Sequence, residues 1–388
     1  MLKKNILLML FLCLLLAKER NLKLKKIDGF LRQLIDLEGS DLHVAAGNRP
    51  MIRKNGILEP TDFPYLTNGN IYELMQEVLT PAEIQKFTSN ADLDFVYQSR
   101  ELDQRFRSNA FYQKNGISMV FRWIKRDIPS LVDLGFSEAV KKLTRFHQGI
   151  VLVTGPSGCG KTTTMASLID IINKERSLHI ITVEEPVEYI HKNKNSLVIQ
   201  REVGKDVDSF QTALKGALRE DPDVIVIGEL RDLDTISLAI TAAETGHLVF
   251  STLHTNGAVE TIARIVDIFP GENQGQIRVQ LSATLEGVLS QTLIPMPNGK
   301  GMALACEILV ATPAVRNVIR DGRMHTMKGL MEIGTEAGMQ TMEYSLKELY
   351  LRGKITYEDA EARVTDIEGF KKLIGALPSD NITGAEGI

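Results

Sequence analysis

An apolar run, Gly149-Ile-Val-Leu-Val-Thr154, leads directly into Gly155-Pro-Ser-Gly-Cys-Gly-Lys-Thr162, and this junction constrains the fold more than any other segment. Met165, Leu168, Ile169 and Ile172 follow at i, i+3, i+4 and i+7, so a strand, a glycine-rich loop and a helix succeed one another. Phosphate binding requires that order, because backbone N–H groups and the positive end of the helix dipole then converge on the loop. Gly155, Pro156, Ser157, Gly158, Cys159, Gly160, Lys161, Thr162 and Thr163 are the expected nucleotide contacts. Lys161 would reach the β- and γ-phosphates, and Thr162 would place its hydroxyl on Mg²⁺. A glycine-rich turn that matches by chance is the competing reading, and the flanking strand and helix weigh against it. The motif alone implies a bound nucleoside triphosphate.

At 388 residues the chain has room for roughly two or three domains. Its formal charge of −4, from 45 basic and 49 acidic residues, supplies no general attraction to nucleic acid or an anionic membrane. No nucleic-acid partner is expected. Cys13, Cys159 and Cys306 lie far apart, so neither a disulfide framework nor a CxxC zinc pair is available, and a reducing cytoplasm fits. Lys3, Lys4 and the apolar run from Ile6 to Ala17 look like a secretory signal, which would carry a nucleotide-binding protein away from its nucleotide. The run is shorter than the ~20 residues of a spanning helix. A mis-assigned translation start, a peripheral anchor and a signal peptide are the three readings, in that order.

Residues 26–124 are expected to form a small α+β domain. Ile27, Phe30, Leu31 and Leu34 recur at helical spacing, Asn55-Gly56 marks a hairpin, and Thr80-Pro-Ala-Glu83 is a capping box. A two-residue turn at Asn115-Gly116 would set position 109 against 122 and 107 against 124. One face would collect Phe106, Ala110, Tyr112, Met119, Phe121 and Trp123 as core. The other would collect Arg105, Arg107, Asn109 and Arg122, with Arg126 beyond. That second face reads either as a solvated polar surface or as a guanidinium cluster that meets phosphate oxygens across an interface. Residues 125–147 read as a linker. Strand-like runs alternate with helical patterns across 148–311, which signals an α/β core with a mostly parallel sheet. Residues 312–375 are helical only, 376–388 read as a disordered tail, and 1–25 as an atypical extension.

Hydrolysis of a nucleoside triphosphate needs a carboxylate beside the P-loop to orient water. Asp223-Val-Ile-Val-Ile-Gly-Glu229 ends a strand with Glu229, while Asp223 stands at the strand's start, away from the nucleotide. A helix-capping glutamate is the alternative for Glu229. Ile180-Ile-Thr-Val-Glu-Glu-Pro186 places Glu184 and Glu185 at a second strand end, where one of them would hold Mg²⁺ through water or both are ordinary acidic loop residues. His247 and His254 bracket the run Leu248 to Ser251; both are packed or surface residues, or they sense the γ-phosphate.

Gly155 to Thr162, Thr182-Val-Glu-Glu-Pro-Val-Glu188, Gln200-Arg-Glu-Val203, Ala217-Leu-Arg-Glu-Asp-Pro-Asp223, Gly228-Glu-Leu-Arg-Asp232 and Thr245-Gly-His247 through His254 together resemble the secretion ATPase superfamily. Within it they are most similar to the PilT/PilU family of type IV pilus retraction ATPases, over about Lys26 to Ile374. The resemblance implies a PAS-like N-terminal α+β domain, then a RecA-like P-loop ATPase domain with a C-terminal helical region, assembled as a homo-hexamer with ATP between subunits. It implies a motor for pilin depolymerisation and twitching motility, cytoplasmic and peripheral to the inner membrane. An inner-membrane platform protein and a paralogous retraction ATPase would be its partners. It further implies that Arg105, Arg107 and Arg122 reach the nucleotide, that Glu184 forms the acidic box, that Glu229 is catalytic, and that His247 and His254 form a histidine box. Assembly and secretion relatives carry a four-cysteine zinc module that three scattered cysteines cannot build, and Ala314-Val-Arg-Asn-Val-Ile-Arg-Asp321 resembles a retraction signature. Pro297-Asn-Gly-Lys-Gly301, Gly338-Met-Gln-Thr341 and Gly353-Lys-Ile-Thr-Tyr-Glu-Asp359 look as much like the accessory paralogue, so an ATP-binding accessory subunit stays open beside the motor, with an assembly or secretion ATPase as the further alternative. Glu185 stands where the family usually has aspartate.

Overall fold

The computed structural model describes residues 25–375 apart from 55, 125, 298, 300 and 365. The apolar run at residues 6–17 and the tail from Pro378 therefore lie outside the described residues. Two compact units divide between Arg126 and Asp127.

The first unit is a six-stranded antiparallel sheet in the order β3-β2-β1-β6-β5-β4. Its strands are β1 (Asp41–Ala45), β2 (Met51–Lys54), β3 (Ile57–Pro60), β4 (Asp92–Ser99), β5 (Gln104–Gln113) and β6 (Gly116–Ile124). Helix α1 (Lys26–Asp36) buries Ile27, Phe30, Leu31 and Leu34, the four residues that share a face at 3.6 residues per turn. Helix α2 (Asn68–Val78) adds Ile71, Leu74 and Met75 to the same core. Thr80 and Glu83 close a capping box around α3 (Pro81–Asn90), with Pro81 in its first turn, a device worth about 1 kcal/mol. Tyr97 donates its hydroxyl to Asp28 Oδ1 at 2.9 Å, which gives the buried Asp28 carboxylate a partner inside the core.

The β5–β6 register differs by two residues from the expectation. Arg107 faces Arg122, Asn109 faces Val120 and Gln113 faces Gly116, so the two-residue turn is Lys114-Asn115. Gly116 is instead the first strand residue, at φ 124°, and a Cβ there would lie 2.1 Å from Asn68 Oδ1. The glycine answers to α2 packing over the hairpin, and Asn68 Oδ1 accepts the neighbouring Ile117 N–H at 2.8 Å. An even shift leaves the two faces intact: Phe106, Ala110, Met119 and Phe121 are buried, and Arg107 and Arg122 are exposed. Tyr112 departs from the core assignment, being half-exposed and stacked on Phe87 at 4.7 Å.

The second unit carries a seven-stranded sheet in the order β13-β12-β7-β11-β10-β8-β9. Strands β7 (Gly149–Thr154), β8 (His179–Glu184), β9 (Leu197–Glu202), β10 (Val224–Ile227), β11 (Leu248–Leu253) and β12 (Leu285–Pro295) run parallel, and β13 (Met302–Val310) pairs antiparallel at the edge. Side chains alternate faces, which explains why the central strands are apolar throughout. Ile150, Leu152, Ile225, Ile227 and Val249 pack with α7 (Leu233–Glu244), α8 (Ala258–Asp267) and α9 (Gln274–Thr284). Val151, Val153, Val224, Val226 and Phe250 pack with α5 (Lys161–Glu175) on the other face. The short helices α4 (Glu138–Lys142) and α6 (Phe210–Ala217) complete the layers.

Thr312 caps α10 (Pro313–Asp321), and after α11 (Met327–Ile333) the helices α12 (Met342–Leu351), α13 (Tyr357–Glu361) and α14 (Ile367–Ile374) follow. Leu346, Ala360 and Phe370 from these last helices pack with Ile294, Ala303 and Ala305 of the β12–β13 pair. Arg316 Nη2 lies 2.9 Å from both oxygens of Glu286 and Nη1 donates to the Ser282 and Ala283 carbonyls at the end of α9, so this part of the retraction-like signature fastens two helices together. Among the described residues no helix is long and apolar enough to cross a membrane.

Candidate nucleotide-binding and hydrolysis site

Thr154 ends β7 in the centre of the sheet, and the chain turns through residues 155–160 into α5. Gly155, Gly158 and Gly160 take φ of 135°, 78° and 88°. Gly155 has a second constraint, since a Cβ there would meet Gln291 O at 2.2 Å and Cys159 Sγ at 2.7 Å. Pro156, Ser157 and Gly158 form an exposed rim, while Cys159 and Lys161 are buried. The N-terminus of the fifteen-residue α5 opens onto that rim. Lys161 Nζ donates to the Gly155 and Pro156 carbonyls at 2.8 and 3.0 Å. Burial lowers the Lys161 ammonium below its usual range, against the opposing influence of Cys159 and Glu229. Thr163 Oγ1 lies 3.1 Å from the Tyr189 hydroxyl.

Parallel strands put all their C-terminal ends on one edge of the sheet, and the polar residues there follow the strand order. Lys161 Nζ lies 3.4 Å from His254 Nδ1, just beyond β11. His254 Nε2 lies 3.4 Å from Glu229 Oε2, beyond β10. Glu229 Oε1 pairs with Arg231, whose Nη1 reaches Glu185 Oε2 at 3.1 Å beyond β8. Burial raises the Glu229 carboxyl, but hydrogen bonding and charge from Arg231, with His254 adding, outweigh it and hold the group below its usual range. Glu184 closes β8 with neutral donors at its Oε1, Thr182 Oγ1 at 2.6 Å and Gln200 Nε2 at 3.1 Å.

The structure therefore brings Lys161, His254, Glu229 and Glu184 to one edge. It does not bring His247 there. His247 precedes β11, where its carbonyl accepts the Gly149 N–H at 3.0 Å and its Nδ1 lies 2.9 Å from Ala242 O, a strand length or roughly 20 Å from the P-loop end. Asp223 likewise sits at the far edge, accepting the His179 N–H at 2.8 Å. Arg105, Arg107 and Arg122 belong to the first unit, where Arg107 and Arg122 are direct cross-strand neighbours and Arg122 Nε donates to the buried Asp41 at 2.8 Å.

Three side chains escaped the sequence reading. Arg231 lies in a quoted motif and Tyr189 just beyond one, and neither carries a local signature. Gln291 sits inside β12, fully buried, donating Nε2 to the Cys159 carbonyl at 2.8 Å while its Oε1 has no hydrogen-bond partner. Its only signal was a long polar side chain between the apolar pairs Val288-Leu289 and Leu293-Ile294. An orphan buried acceptor costs about 1–3 kcal/mol, similar to the cost of leaving the Cys159 carbonyl without its donor, so on replacing the whole amide the two should offset and the change be nearly neutral for folding. Gln291→Leu is expected to keep the melting temperature and raise the KM for ATP about tenfold with a smaller effect on kcat. An unchanged KM would show that the loop needs no prop.

The model of the Type II/IV secretion system protein family matches residues 17–354. The chain belongs to the Type II/IV secretion system protein family. Within that family it is 43% identical over 331 residues to the type IV pilus retractation ATPase PilT of Pseudomonas aeruginosa, covering 85% of this chain and 96% of the relative. It is 40% identical over 349 residues to the type IV pilus ATPase PilU of the same organism, covering 90% and 91%. A crystal structure of the pilus retraction motor PilT with bound ADP superposes with a TM-score of 0.82 at 44% identity, covering 91% of this chain and all of that one. This family member is thus an α/β protein with an N-terminal domain and an ATPase domain.

Proposed function

We propose that this chain is a hexameric ATPase motor that drives type IV pilus retraction. The observation that carries the reading is the row Lys161, His254, Glu229 along one sheet edge, in a chain that matches a retraction ATPase over nearly its whole length. ATP suits the donor set: a buried lysine, the N-terminus of α5 and a loop whose first glycine, Gly155, admits no side chain. Mg²⁺ would be held by the Thr162 hydroxyl and, through water, by Glu184, and would supply charge neutralisation at the phosphates. Lys161 binds the β- and γ-phosphates. Glu229 orients the attacking water and takes up its proton, and His254, between Lys161 and Glu229, senses the γ-phosphate. His247 is left outside this arrangement.

In this reading the first unit is a PAS-like domain that packs on the RecA-like domain of a neighbouring copy and presents Arg105, Arg107 and Arg122 to its nucleotide. Closure would add cationic donors as charge develops on the transferred phosphoryl group. The motor works at the cytoplasmic side of the inner membrane against a platform protein. The match to PilU favours one second reading, an ATP-binding accessory subunit that joins a paralogous hexamer. Steady-state ATP turnover of the purified chain, with oligomer mass read in the same sample, tests the proposal. A hexamer with Mg²⁺-dependent turnover supports the motor, and a chain that binds ATP but scarcely hydrolyses it favours the accessory subunit. Cells lacking the protein should keep their pili and lose twitching; loss of the pili themselves would point to an assembly motor.

A further inference from the structure

Glu229 has both carboxylate oxygens engaged, Oε1 by Arg231 and Oε2 opposite His254 Nε2 at 3.4 Å. Each oxygen keeps a second lone pair for water, but the guanidinium on Oε1 lowers the affinity of the carboxylate for the proton it must take up. Turnover is therefore favoured when one of these partners yields. Arg231 is the one with somewhere else to go. The parallel register sets Ile227 beside Val183 and continues through the Gly228 N–H to the Val183 carbonyl at 2.8 Å, so Glu229 and Glu185 leave adjacent strand ends together. One guanidinium lies between them and already donates Nη1 to Glu185 Oε2 at 3.1 Å. The Arg231 and Glu185 side chains are 60% and 43% exposed, against 17% for Glu229, so the exposed pair can move while the carboxylate of the site stays fixed.

We infer that Arg231 is a positioning residue that gates Glu229, withholding Oε1 while it bridges the two carboxylates and releasing it on passing wholly to Glu185. The inference rests on the reading of Glu229 as the water-orienting group. It also gives Glu185 a task. The family resemblance expects aspartate there, whose carboxylate would end one bond, about 1.5 Å, shorter; the glutamate reaches the guanidinium. Of the other charged groups along this edge, Lys161 donates to the loop carbonyls, and Glu184 Oε1 accepts from Thr182 and Gln200.

The test measures kcat and KM for ATP on the full chain carrying Glu185→Gln, Glu185→Asp, Arg231→Gln, Arg231→Lys, the Glu185→Gln/Arg231→Gln pair and Glu229→Gln. Glu185→Gln leaves Arg231 on Glu229, so kcat is expected to fall about tenfold with KM within about twofold. Glu185→Asp should fall between it and the parent. Arg231→Gln should turn over at least as fast as the parent, Arg231→Lys should restore parental behaviour, and the double variant should match Arg231→Gln. Parental kcat in Glu185→Gln, simple addition of the two single effects in the double variant, or a loss in Arg231→Gln as deep as in Glu229→Gln would overturn the gate. Retained turnover in Glu229→Gln would overturn the underlying reading of the site, whatever the other variants do.

Discussion

Glu229→Gln should bind ATP within about threefold of the parent and lose about 10³-fold in turnover, the usual weight of a positioned general base. The substitution keeps the shape and leaves the neutral side chain able to accept from Arg231, while removing the charge that polarises water. Burial and Arg231 act on the Glu229 carboxyl in opposite directions, and the arginine prevails, so the parental group is an anion well below neutral pH. Turnover measured with a continuous phosphate assay, and binding measured with a fluorescent ATP analogue, separate the two effects. Parental turnover would remove Glu229 from the mechanism. Weakened binding with matching loss of kcat/KM would make it a structural residue of the strand end.

Lys161→Gln is expected to act earlier, at binding. The ammonium is buried among the loop carbonyls and is the cation placed to meet the phosphates from within the P-loop. Its loss should weaken ATP binding and lower turnover by about 10²–10³-fold, the range for removing one preorganised donor from a phosphoryl or oxyanion site. A glutamine can still donate to the Gly155 or Pro156 carbonyl, so the loop should stay folded. Parental affinity in Lys161→Gln, measured by isothermal titration, would remove the lysine from phosphate binding.

The P-loop was legible because its requirements are local: an apolar strand, glycines, a lysine and a helix in immediate succession. Glu229, Glu184 and His254 were legible for a related reason, since a polar residue that ends an apolar run in a parallel sheet must emerge at a strand terminus. Which terminus matters is a property of strand direction, and it separates His254 from His247 and Glu229 from Asp223. The hairpin register was missed because Gly116 was read as a turn residue, whereas its environment is set by Asn68, 48 positions earlier in the chain. Gln291 and Arg231 were missed because their partners, Cys159 and Glu185, are likewise distant in sequence. Nothing in either residue's neighbours announces a buried amide under a loop or a guanidinium between two acids.

Gln291 has a mechanical side as well. It faces Cys306 across the β12–β13 pair, and the Cys306 N–H donates to Ser345 Oγ of α12 at 3.0 Å while Gln340 Nε2 donates to the Cys306 carbonyl at 2.7 Å. The phosphate cradle and the C-terminal helices thus hang from the same rung, Gln291 opposite Cys306, of a single ladder. A displacement of those helices would therefore act first on the strand pair on which the nucleotide loop rests.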